Sequence, residues 1–258
     1  MKNGKMKRRK FLLCAALGVP AWACADSRWI EPEWLKVRTV RIKDNPTHRI
    51  VQFTDVHHKG DRAYLEKVVS RINSLSPDAV CFTGDLVEEK QFLPETLEVL
   101  GTIKTPMYGV PGNHDYWSHS DFHEIAKTFA ATGGGWLLDS QVTIADGKVH
   151  ILGATCLGRK FKLPPPKPDG INIMLLHYPL LAEKIKDRKF DLLLAGHSHG
   201  GQVRIPFYGA VVVPYWVGKY EMGMYHVPAG PLYVNPGIGY IGTSLRFNCR
   251  PEITVFEI

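Results

Sequence analysis

Cysteine is scarce in this sequence, and the cysteines that occur are not paired. Of the five, Cys14 and Cys24 lie in the first 25 residues, while Cys81, Cys156 and Cys249 are far apart in the remainder. A disulfide framework and a thiolate zinc cage both need cysteines at short, regular spacings, so neither is expected here. Cys81 lies inside an apolar run, which predicts a small buried residue.

The main part of the chain also lacks a net charge. The whole sequence has a formal charge of +7, which in isolation favours a nucleic-acid-binding protein. Six of its 32 basic residues, however, fall within the first ten positions, and residues 1–25 contain none of the 25 acidic residues. The remainder is therefore close to neutral, which argues against a nuclease. Internal repeats and low-complexity segments are absent as well.

No apolar run is long enough to span a bilayer comfortably. The N-terminal run, FLLCAALGVPAWACA, occupies residues 11–25, whereas a membrane-spanning helix needs about 20 apolar residues. Its length is typical of the apolar part of an export signal. The preceding pair Arg8 and Arg9 resembles a twin-arginine signal, a bacterial route that carries folded proteins.

This segment leaves two alternatives open. Ala21 and Ala23 form a plausible cleavage site, so the signal could be removed. Alternatively it could stay as an uncleaved anchor in the inner membrane. In both cases we expect the protein in the bacterial cell envelope, with association at the cytoplasmic face of the membrane as the alternative.

The chain thus divides into three parts. Residues 1–25 form the twin-arginine-like signal or N-terminal anchor, residues 26–48 a linker or interfacial segment, and residues 49–258 the folded domain. The middle part carries Trp29, Ile30, Trp34 and Leu35 among charged residues. These apolar side chains could lie against a membrane or could be the first edge of the fold.

From residue 49 the hydrophobic pattern predicts alternating strands and helices. Strands are predicted at residues 49–54, 78–83 and 106–110, and helices at residues 64–75 and 94–103. This β-α-β-α-β order indicates a parallel sheet covered on both faces, with function at the carboxyl ends of its strands.

The second half predicts another sheet with more antiparallel pairing. Asp146-Gly147 separates two alternating apolar runs, a β-hairpin signature. Two buried strands follow at residues 171–179 and 190–199, with a helical pattern at residues 180–190. The fold class is therefore α/β.

Metal-ligand residue types stand at the carboxyl ends of five predicted strands. They occur in FTDVHH (Asp55, His57), FTGDL (Asp85), GNHD (Asn113, His114, Asp115), LLHYP (His177) and AGHSHGG (His197, His199). If the segment after the first strand is extended, the spacing of Asp55 and His57 places both side chains on one side. Polar residues beside every buried strand are costly unless they act together, so we expect them to gather in one crevice.

In order and spacing these motifs resemble the calcineurin-like metallophosphoesterase superfamily, over about residues 49–200. The continuation GHSHGGQVRIP and the later LRFNCRPEIT extend the similarity to its bacterial twin-arginine or membrane-associated phosphodiesterases. The resemblance implies a four-layer α/β/β/α sandwich of two mixed β-sheets flanked by helices. It also implies an enzyme that hydrolyses phosphoric ester bonds.

The resemblance further implies two divalent metal ions and their ligands. Asp55, His57 and His199 would hold one ion, Asn113, His177 and His197 the other, and Asp85 would bridge them. Mixed carboxylate, imidazole and amide ligands suit Mn, Fe or Zn. A hydroxide bridging the two ions would attack the phosphorus in line.

His114 and Asp115 are the expected catalytic residues outside the ligand set. A positioned imidazolium at His114 could protonate the leaving oxygen, and the neighbouring Asp115 carboxylate would help to keep it charged. The alternative is that His114 only braces Asn113 or the substrate phosphate.

Several substrates remain open at this point. A phosphodiester or pyrophosphate hydrolase acting on a lipid-linked or nucleotide-sugar substrate is favoured. UDP-2,3-diacylglucosamine hydrolysis in lipid A synthesis, a phosphomonoesterase or protein phosphatase, and a scaffold without catalysis are alternatives. Residues 206–227 supply aromatic and apolar side chains that could contact acyl chains or a membrane, or could form an ordinary hairpin of the second sheet.

Overall fold

Two six-stranded β-sheets lie at the centre of the computed structural model, which describes residues 23–157 and 163–258. The strands in chain order are β1 (Lys36–Arg41), β2 (Arg49–Phe53), β3 (Ala79–Phe82), β4 (Met107–Gly109), β5 (Gly135–Trp136), β6 (Ser140–Ile144), β7 (Val149–Gly153), β8 (Ile171–Leu175), β9 (Leu192–Ala195), β10 (Arg204–Ile205), β11 (Gly209–Ala210), β12 (Gly223–Val227), β13 (Gly230–Val234) and β14 (Glu252–Glu257). The α-helices are α1 (Arg62–Ser74), α2 (Leu93–Leu100), α3 (Asn113–Trp117) and α4 (Phe122–Ala131).

The first sheet has the order β1-β14-β2-β3-β4-β5. Strands β2, β3 and β4 are parallel, as the alternating pattern predicts, and β5, which was not predicted, is parallel to β4, while β14 runs antiparallel to β2 and parallel to β1. The second sheet has the order β12-β13-β9-β8-β7-β6. Its edge pairs β12–β13 and β6–β7 are antiparallel around a parallel centre, so both sheets are mixed, as expected.

Alternation along the strands explains the layers. In β2, Ile50 packs into the core between the two sheets, while the next residue, Val51, faces the helices of the first sheet. The helix α1 covers that face with Leu65, Val68, Val69 and Ile72, which lie on one side at helical spacing. Asp61 caps the start of this helix by accepting a hydrogen bond from the amide of Tyr64.

The outer face of the second sheet has a different cover. The segment 180–190, predicted as a helix, instead contains a 3₁₀ helix at Pro179–Ile185. Leu181, Ala182 and Ile185 pack against the second sheet from this helix. The proline at its start and the short length favour the tighter winding over a full α-helix.

The segment 26–48 is not a linker, because it contains β1. This strand pairs with β14 from Lys36 opposite Glu252 to Arg41 opposite Glu257. The structure therefore shows the first edge of the fold at residues 36–41, and the boundary expected at residue 49 lies too late in the chain. The pattern misled because an edge strand exposes one face and carries charged residues on it.

The helix α4 was not predicted, although Asp121 caps its first amides and Ile125 and Phe129 bury its inner face. In the described ranges, no helix is both long and apolar enough to cross a bilayer. The predicted signal lies mainly in residues 1–22, outside the described residues.

Candidate metal centre

Seven predicted metal ligands converge at one edge of the two sheets. Asp55 and His57 follow β2, Asp85 follows β3, Asn113 begins α3, His177 follows β8, and His197 and His199 follow β9. All seven are buried. The parallel strands bring them together because their carboxyl ends open on the same side.

One group of ligands consists of Asp55, His57 and His199. Nε2 of His199 lies 3.3 Å from Oδ1 of Asp55 and 3.1 Å from Nε2 of His57. Oδ1 of Asp55 also lies 3.9 Å from Nε2 of His57. These three side chains are close enough to hold one metal ion.

A second group contains Asp85, Asn113, His177 and His197. Nε2 of His177 lies 3.0 Å from Oδ1 of Asn113 and 3.2 Å from Oδ2 of Asp85. The rings of His177 and His197 are 4.9 Å apart between their centres. Asp85, His177 and His197 also place ligand atoms within 4.8 Å of one another.

Asp85 lies between the two groups. Its Oδ2 atom is 3.4 Å from Nε2 of His57 and 3.2 Å from Nε2 of His177. Its Oδ1 atom accepts a hydrogen bond of 2.8 Å from the amide of His114. One oxygen is thus fixed by the backbone, and the other faces both groups of imidazoles.

The backbone of the site is unusual. Left-handed φ angles occur at five of the seven ligands, namely Asp55 (53°), His57 (42°), Asp85 (67°), His197 (67°) and His199 (49°). Residues with a side chain rarely adopt this conformation, and it concentrates at functional sites. Asp55 and His57 therefore meet through a tight turn, and the extended segment expected from their spacing is wrong.

Two glycines allow these turns to pack closely. At Gly84, whose φ is 104°, a β-carbon would lie 2.5 Å from Nδ1 of His177. At Gly196, a β-carbon would overlap the carboxylate of Asp55 and the hydroxyl of Thr54. Both positions bring backbone against ligand side chains, which a larger residue would displace.

Hydrogen bonds fix which nitrogen of two histidines faces the centre. Nδ1 of His177 donates to the carbonyl of Thr83 at 2.7 Å, and Nε2 of His197 donates to the carbonyl of Tyr215 at 2.7 Å. The opposite nitrogens are then free to ligate. Nδ1 of His197 and Oδ2 of Asp85 are buried and have no hydrogen-bond partner among the described residues, which a metal ion would satisfy.

The electrostatics of two of the ligands, Asp85 and His197, agree with cation binding. Burial alone would raise the pKa of Asp85, but the neighbouring imidazoles of His177 and His57 hold it well below its usual value. Burial, together with the charge of His177, lowers the pKa of His197 to about 4. Asp85 is therefore ionised and His197 neutral at pH 7, and these forms bind metals. The residues present fit two divalent ions.

Asp115 does not lie where the sequence predicted. Its two carboxylate oxygens accept hydrogen bonds from the amides of Gly112 (2.8 Å), Asp85 (2.9 Å) and Leu86 (2.8 Å). Burial and the charge of Asp85 raise its pKa to about 6, against the effect of these amides. The carboxylate is thus occupied in joining the loops of Asp85 and Asn113, and it does not contact the ring of His114.

Glu88 occupies the position expected for Asp115. Its Oε2 atom lies 3.4 Å from Nδ1 of His114, and its Oε1 atom lies 2.7 Å from Nδ1 of His57. His114 is partly exposed at the edge of the metal centre, and its ring packs edge-on against that of His57, with 4.7 Å between the ring centres. Sequence reasoning missed Glu88, although it follows Asp85 by three residues, because GDLVEE does not indicate which of two adjacent glutamates turns inward.

Comparison with known proteins agrees with this geometry. The sequence model of the family described as calcineurin-like phosphoesterase matches residues 48–201. An uncharacterized metallophosphoesterase of Bacillus subtilis, YkuE, is 32% identical, covering 98% of each chain. The phosphodiesterase YaeI of Escherichia coli is 27% identical, covering 98% of this chain and 99% of its own length.

Among solved structures, the fold is similar to that of TT1561 from Thermus thermophilus. That likeness has a TM-score of 0.50 at 15% identity and covers 74% of this chain and 90% of the other. At this identity it bears on the fold alone, which is the mixed two-sheet arrangement described above.

Proposed function

Since the chain belongs to the calcineurin-like phosphoesterase family, and is thus a hydrolase of phosphoric esters, we propose that its substrates are phosphodiesters or pyrophosphates. The observation that carries the proposal is the position of Asp85, whose free carboxylate oxygen faces His57 at 3.4 Å and His177 at 3.2 Å. A buried carboxylate between two groups of imidazoles suits a centre in which two metal ions coordinate one phosphoryl group.

The ligand residues divide into two groups, one for each ion. Asp55, His57 and His199 would hold one ion, Asn113, His177 and His197 the other, and Asp85 both. The nitrogen and oxygen donors suit Mn, Fe or Zn. When bound, two such ions supply positive charge to the phosphoryl oxygens and lower the pKa of water, so that it can attack in line.

The protein itself supplies the proton for the leaving group in this proposal. Glu88 faces Nδ1 of His114. The other nitrogen of that ring, Nε2, is therefore the one that can reach a substrate at the edge of the metal centre. His114 would hold a proton at Nε2 and donate it to the departing oxygen. Glu88 would orient the ring by accepting the proton of Nδ1.

The preference for a diester has support from a relative. The Escherichia coli protein YaeI, which matches this chain over nearly its full length, is named a phosphodiesterase. UDP-2,3-diacylglucosamine hydrolysis and a phosphomonoesterase or protein phosphatase activity are the competing assignments. The first also breaks a pyrophosphate bond and differs in requiring a lipid-carrying nucleotide sugar, whereas the second differs in the number of ester links at phosphorus.

A substrate panel tests the assignment. The full-length protein, reconstituted with Mn²⁺, would be given bis(p-nitrophenyl) phosphate, p-nitrophenyl phosphate, a phosphoprotein, UDP-2,3-diacylglucosamine and other nucleotide sugars. We expect kcat/KM to be higher for the diester or for a pyrophosphate bond than for the monoester. A clear preference for monoesters, with Mn²⁺ bound, would reject the proposal in favour of a phosphatase.

We also propose that the domain works in the bacterial cell envelope. The support is in the sequence, where Arg8 and Arg9 precede the apolar run 11–25. Export by the twin-arginine route would place the domain away from cytoplasmic nucleotide sugars. Retention of the apolar run would hold it at the inner membrane, where lipid-linked phosphoesters are available.

A further inference from the structure

An exposed apolar segment projects from the protein beside the metal centre. Residues 204–216, here called the rim segment, contain the two-stranded hairpin β10–β11 and the loop that follows it. Phe207 is fully exposed, Tyr215 is 93% exposed, Tyr208 76% and Val212 72%. Large apolar side chains that cluster on a surface mark an interaction site, because each would otherwise be more stable out of water.

The rim segment is not an ordinary part of the second sheet. Of the apolar stretch 206–227, only the end, at β12, belongs to that sheet. β10 and β11 form a separate two-stranded sheet, with Arg204 opposite Ala210 and Ile205 opposite Gly209. The exposed side chains therefore do not belong to a segment that covers a hydrophobic core.

Contacts connect the rim segment directly to the metal centre. The carbonyl of Tyr215 accepts the hydrogen bond from Nε2 of His197. The ring of Trp216 stacks on Tyr178 at 5.8 Å, and Tyr178 in turn lies 4.5 Å from the ring of His197. A surface that docks through this segment would lie close to the metal centre.

The charges near the rim segment are complementary to an anionic surface. Nζ of Lys184 lies 4.5 Å from the centre of the Trp216 ring, and Nζ of Lys219 lies 5.4 Å from that of Tyr220. Nearby acidic groups have partners, since Glu221 pairs with Arg204 and Glu183 accepts the hydroxyl of Tyr220. Aromatic rings combined with lysines are typical of the headgroup region of a bilayer.

The N-terminal part of the chain enters the fold beside the base of the rim segment. The amide of Arg246 donates a hydrogen bond to the carbonyl of Ser27. The carbonyl of the next residue, Phe247, accepts a hydrogen bond from the amide of Arg204. Trp29 and Ile30 are 70% and 50% exposed in the same N-terminal part. Ser27 is therefore only two hydrogen-bonded segments away from the rim segment.

We propose that the rim segment is a docking surface for an anionic phospholipid bilayer. Phe207, Tyr208 and Val212 enter the headgroup region, while Lys184 and Lys219 contact lipid phosphates. Docking holds the opening of the metal centre against the bilayer surface, where phosphodiesters of lipid headgroups are within reach. This last step rests on the proposed phosphodiesterase function, whereas the docking itself does not.

Hydrogen exchange of the full-length protein tests the docking at the level of residues. We expect the amides of residues 205–216 to exchange more slowly with vesicles of phosphatidylglycerol and phosphatidylethanolamine in equal parts than with no vesicles. Vesicles of phosphatidylcholine alone should protect the same amides less, because they lack the negative charge. Protection confined to residues before 31 would overturn the proposal, since the N-terminal part would then bind without the rim segment.

A double variant separates docking from folding and from catalysis. Phe207→Asn with Tyr208→Ser removes the two most prominent rings of the hairpin, and asparagine tolerates the left-handed backbone at position 207, where φ is 67°. Vesicle-dependent protection of residues 209–216 should fall by about 10- to 100-fold, the size expected for one or two buried rings. Leu138→Ser, which removes an exposed apolar side chain elsewhere, should leave it unchanged.

Hydrolysis of soluble bis(p-nitrophenyl) phosphate distinguishes the two proposals. The double variant should keep the parental rate, because neither substituted side chain contacts the metal centre. If the parent hydrolyses neither a diester nor a pyrophosphate bond, the proposed function fails while the exchange data still judge the docking. If the double variant retains full vesicle protection, the docking proposal is rejected. It is also rejected if the rim segment is already protected in the absence of vesicles and sedimentation shows a dimer.

Discussion

Oε2 of Glu88 lies 3.4 Å from Nδ1 of His114, and the other oxygen of the same carboxylate lies 2.7 Å from Nδ1 of His57. Partial burial would raise the pKa of Glu88, but the imidazoles of His114 and His57 hold it well below its usual value. The carboxylate is therefore charged at neutral pH. It links a candidate metal ligand to the candidate proton donor.

Glu88→Gln should impair both functions because it removes the charge and keeps the shape. Partners of metal-binding histidines contribute about 10- to 100-fold to metal affinity or activity. We expect a loss of that size in kcat and in Mn²⁺ affinity, measured by steady-state kinetics and by metal titration. Glu89→Gln, at the exposed neighbouring position, is the control. A Glu88→Gln protein with parental kcat and affinity would contradict the assignment.

His114→Asn should affect substrates according to their leaving groups. If Nε2 of His114 protonates the departing oxygen, alkyl phosphodiesters should lose about 100- to 10,000-fold in rate. p-Nitrophenyl esters should be nearly unaffected, since nitrophenolate leaves without a proton. Equal losses on both substrates, with metal content intact, would show that the ring positions or stabilises the substrate instead.

Asp85→Ala should remove nearly all activity and lower the amount of bound metal. The reason is that one oxygen of Asp85 faces both groups of ligands, while the other is fixed by the amide of His114. Elemental analysis of the purified protein measures the metal, with Asp44→Ala, at an exposed position, as the control. Two metal ions per chain in an active Asp85→Ala protein would refute the site.

Asp115→Asn should cost stability more than chemistry. Its carboxylate accepts three backbone amides in a fully buried place, and an amide group can accept with only one of its two polar atoms. We expect the free energy of unfolding to fall by about 2–4 kcal/mol, measured by urea denaturation.

The matched control is Asp121→Asn, since Asp121 caps α4 and asparagine caps helices equally well. It should change the free energy of unfolding by no more than about 0.5 kcal/mol. Equal stability of the Asp115 and Asp121 variants would show that the three amides do not depend on the charge of Asp115.

Replacing Arg8 and Arg9 together by lysine should redistribute the protein between cytosol and envelope. Twin-arginine export depends on the arginine pair, and the substitutions keep the positive charge. Fractionation of cells followed by immunodetection gives the distribution. An unchanged distribution would exclude this route, and restored export by a general secretion signal would show that the domain itself is competent.

The sequence was sufficient for the parts of the fold that depend on local pattern. The apolar runs of β2, β3 and β4 and the helical spacing of α1 were readable directly, as was the hairpin at Asp146-Gly147. β1 was not, because an exposed edge strand buries little and its partner β14 is more than 200 residues away in sequence. Pairing between strands that are distant in the chain produces no periodic pattern in the sequence.

The metal centre shows the same division. Residue type at strand ends identified nine candidates, since polar groups beside buried strands need a partner, and the family resemblance selected seven of them as ligands. The roles of Glu88 and Asp115 depend on which way two neighbouring loops turn, and left-handed residues such as Asp85 set that direction. Single residues of this kind reverse the course of a loop without any signal in hydrophobicity.

The place of β14 has a consequence for biosynthesis. β14 is inserted between β1 and β2, so the first sheet cannot close until β14 has been synthesised. The turn that carries Asp55 follows β2 and packs on Gly237 and Gly239, shortly before that strand. A nascent chain therefore gains the support of its first ligand only after Gly237 and Gly239 have been synthesised.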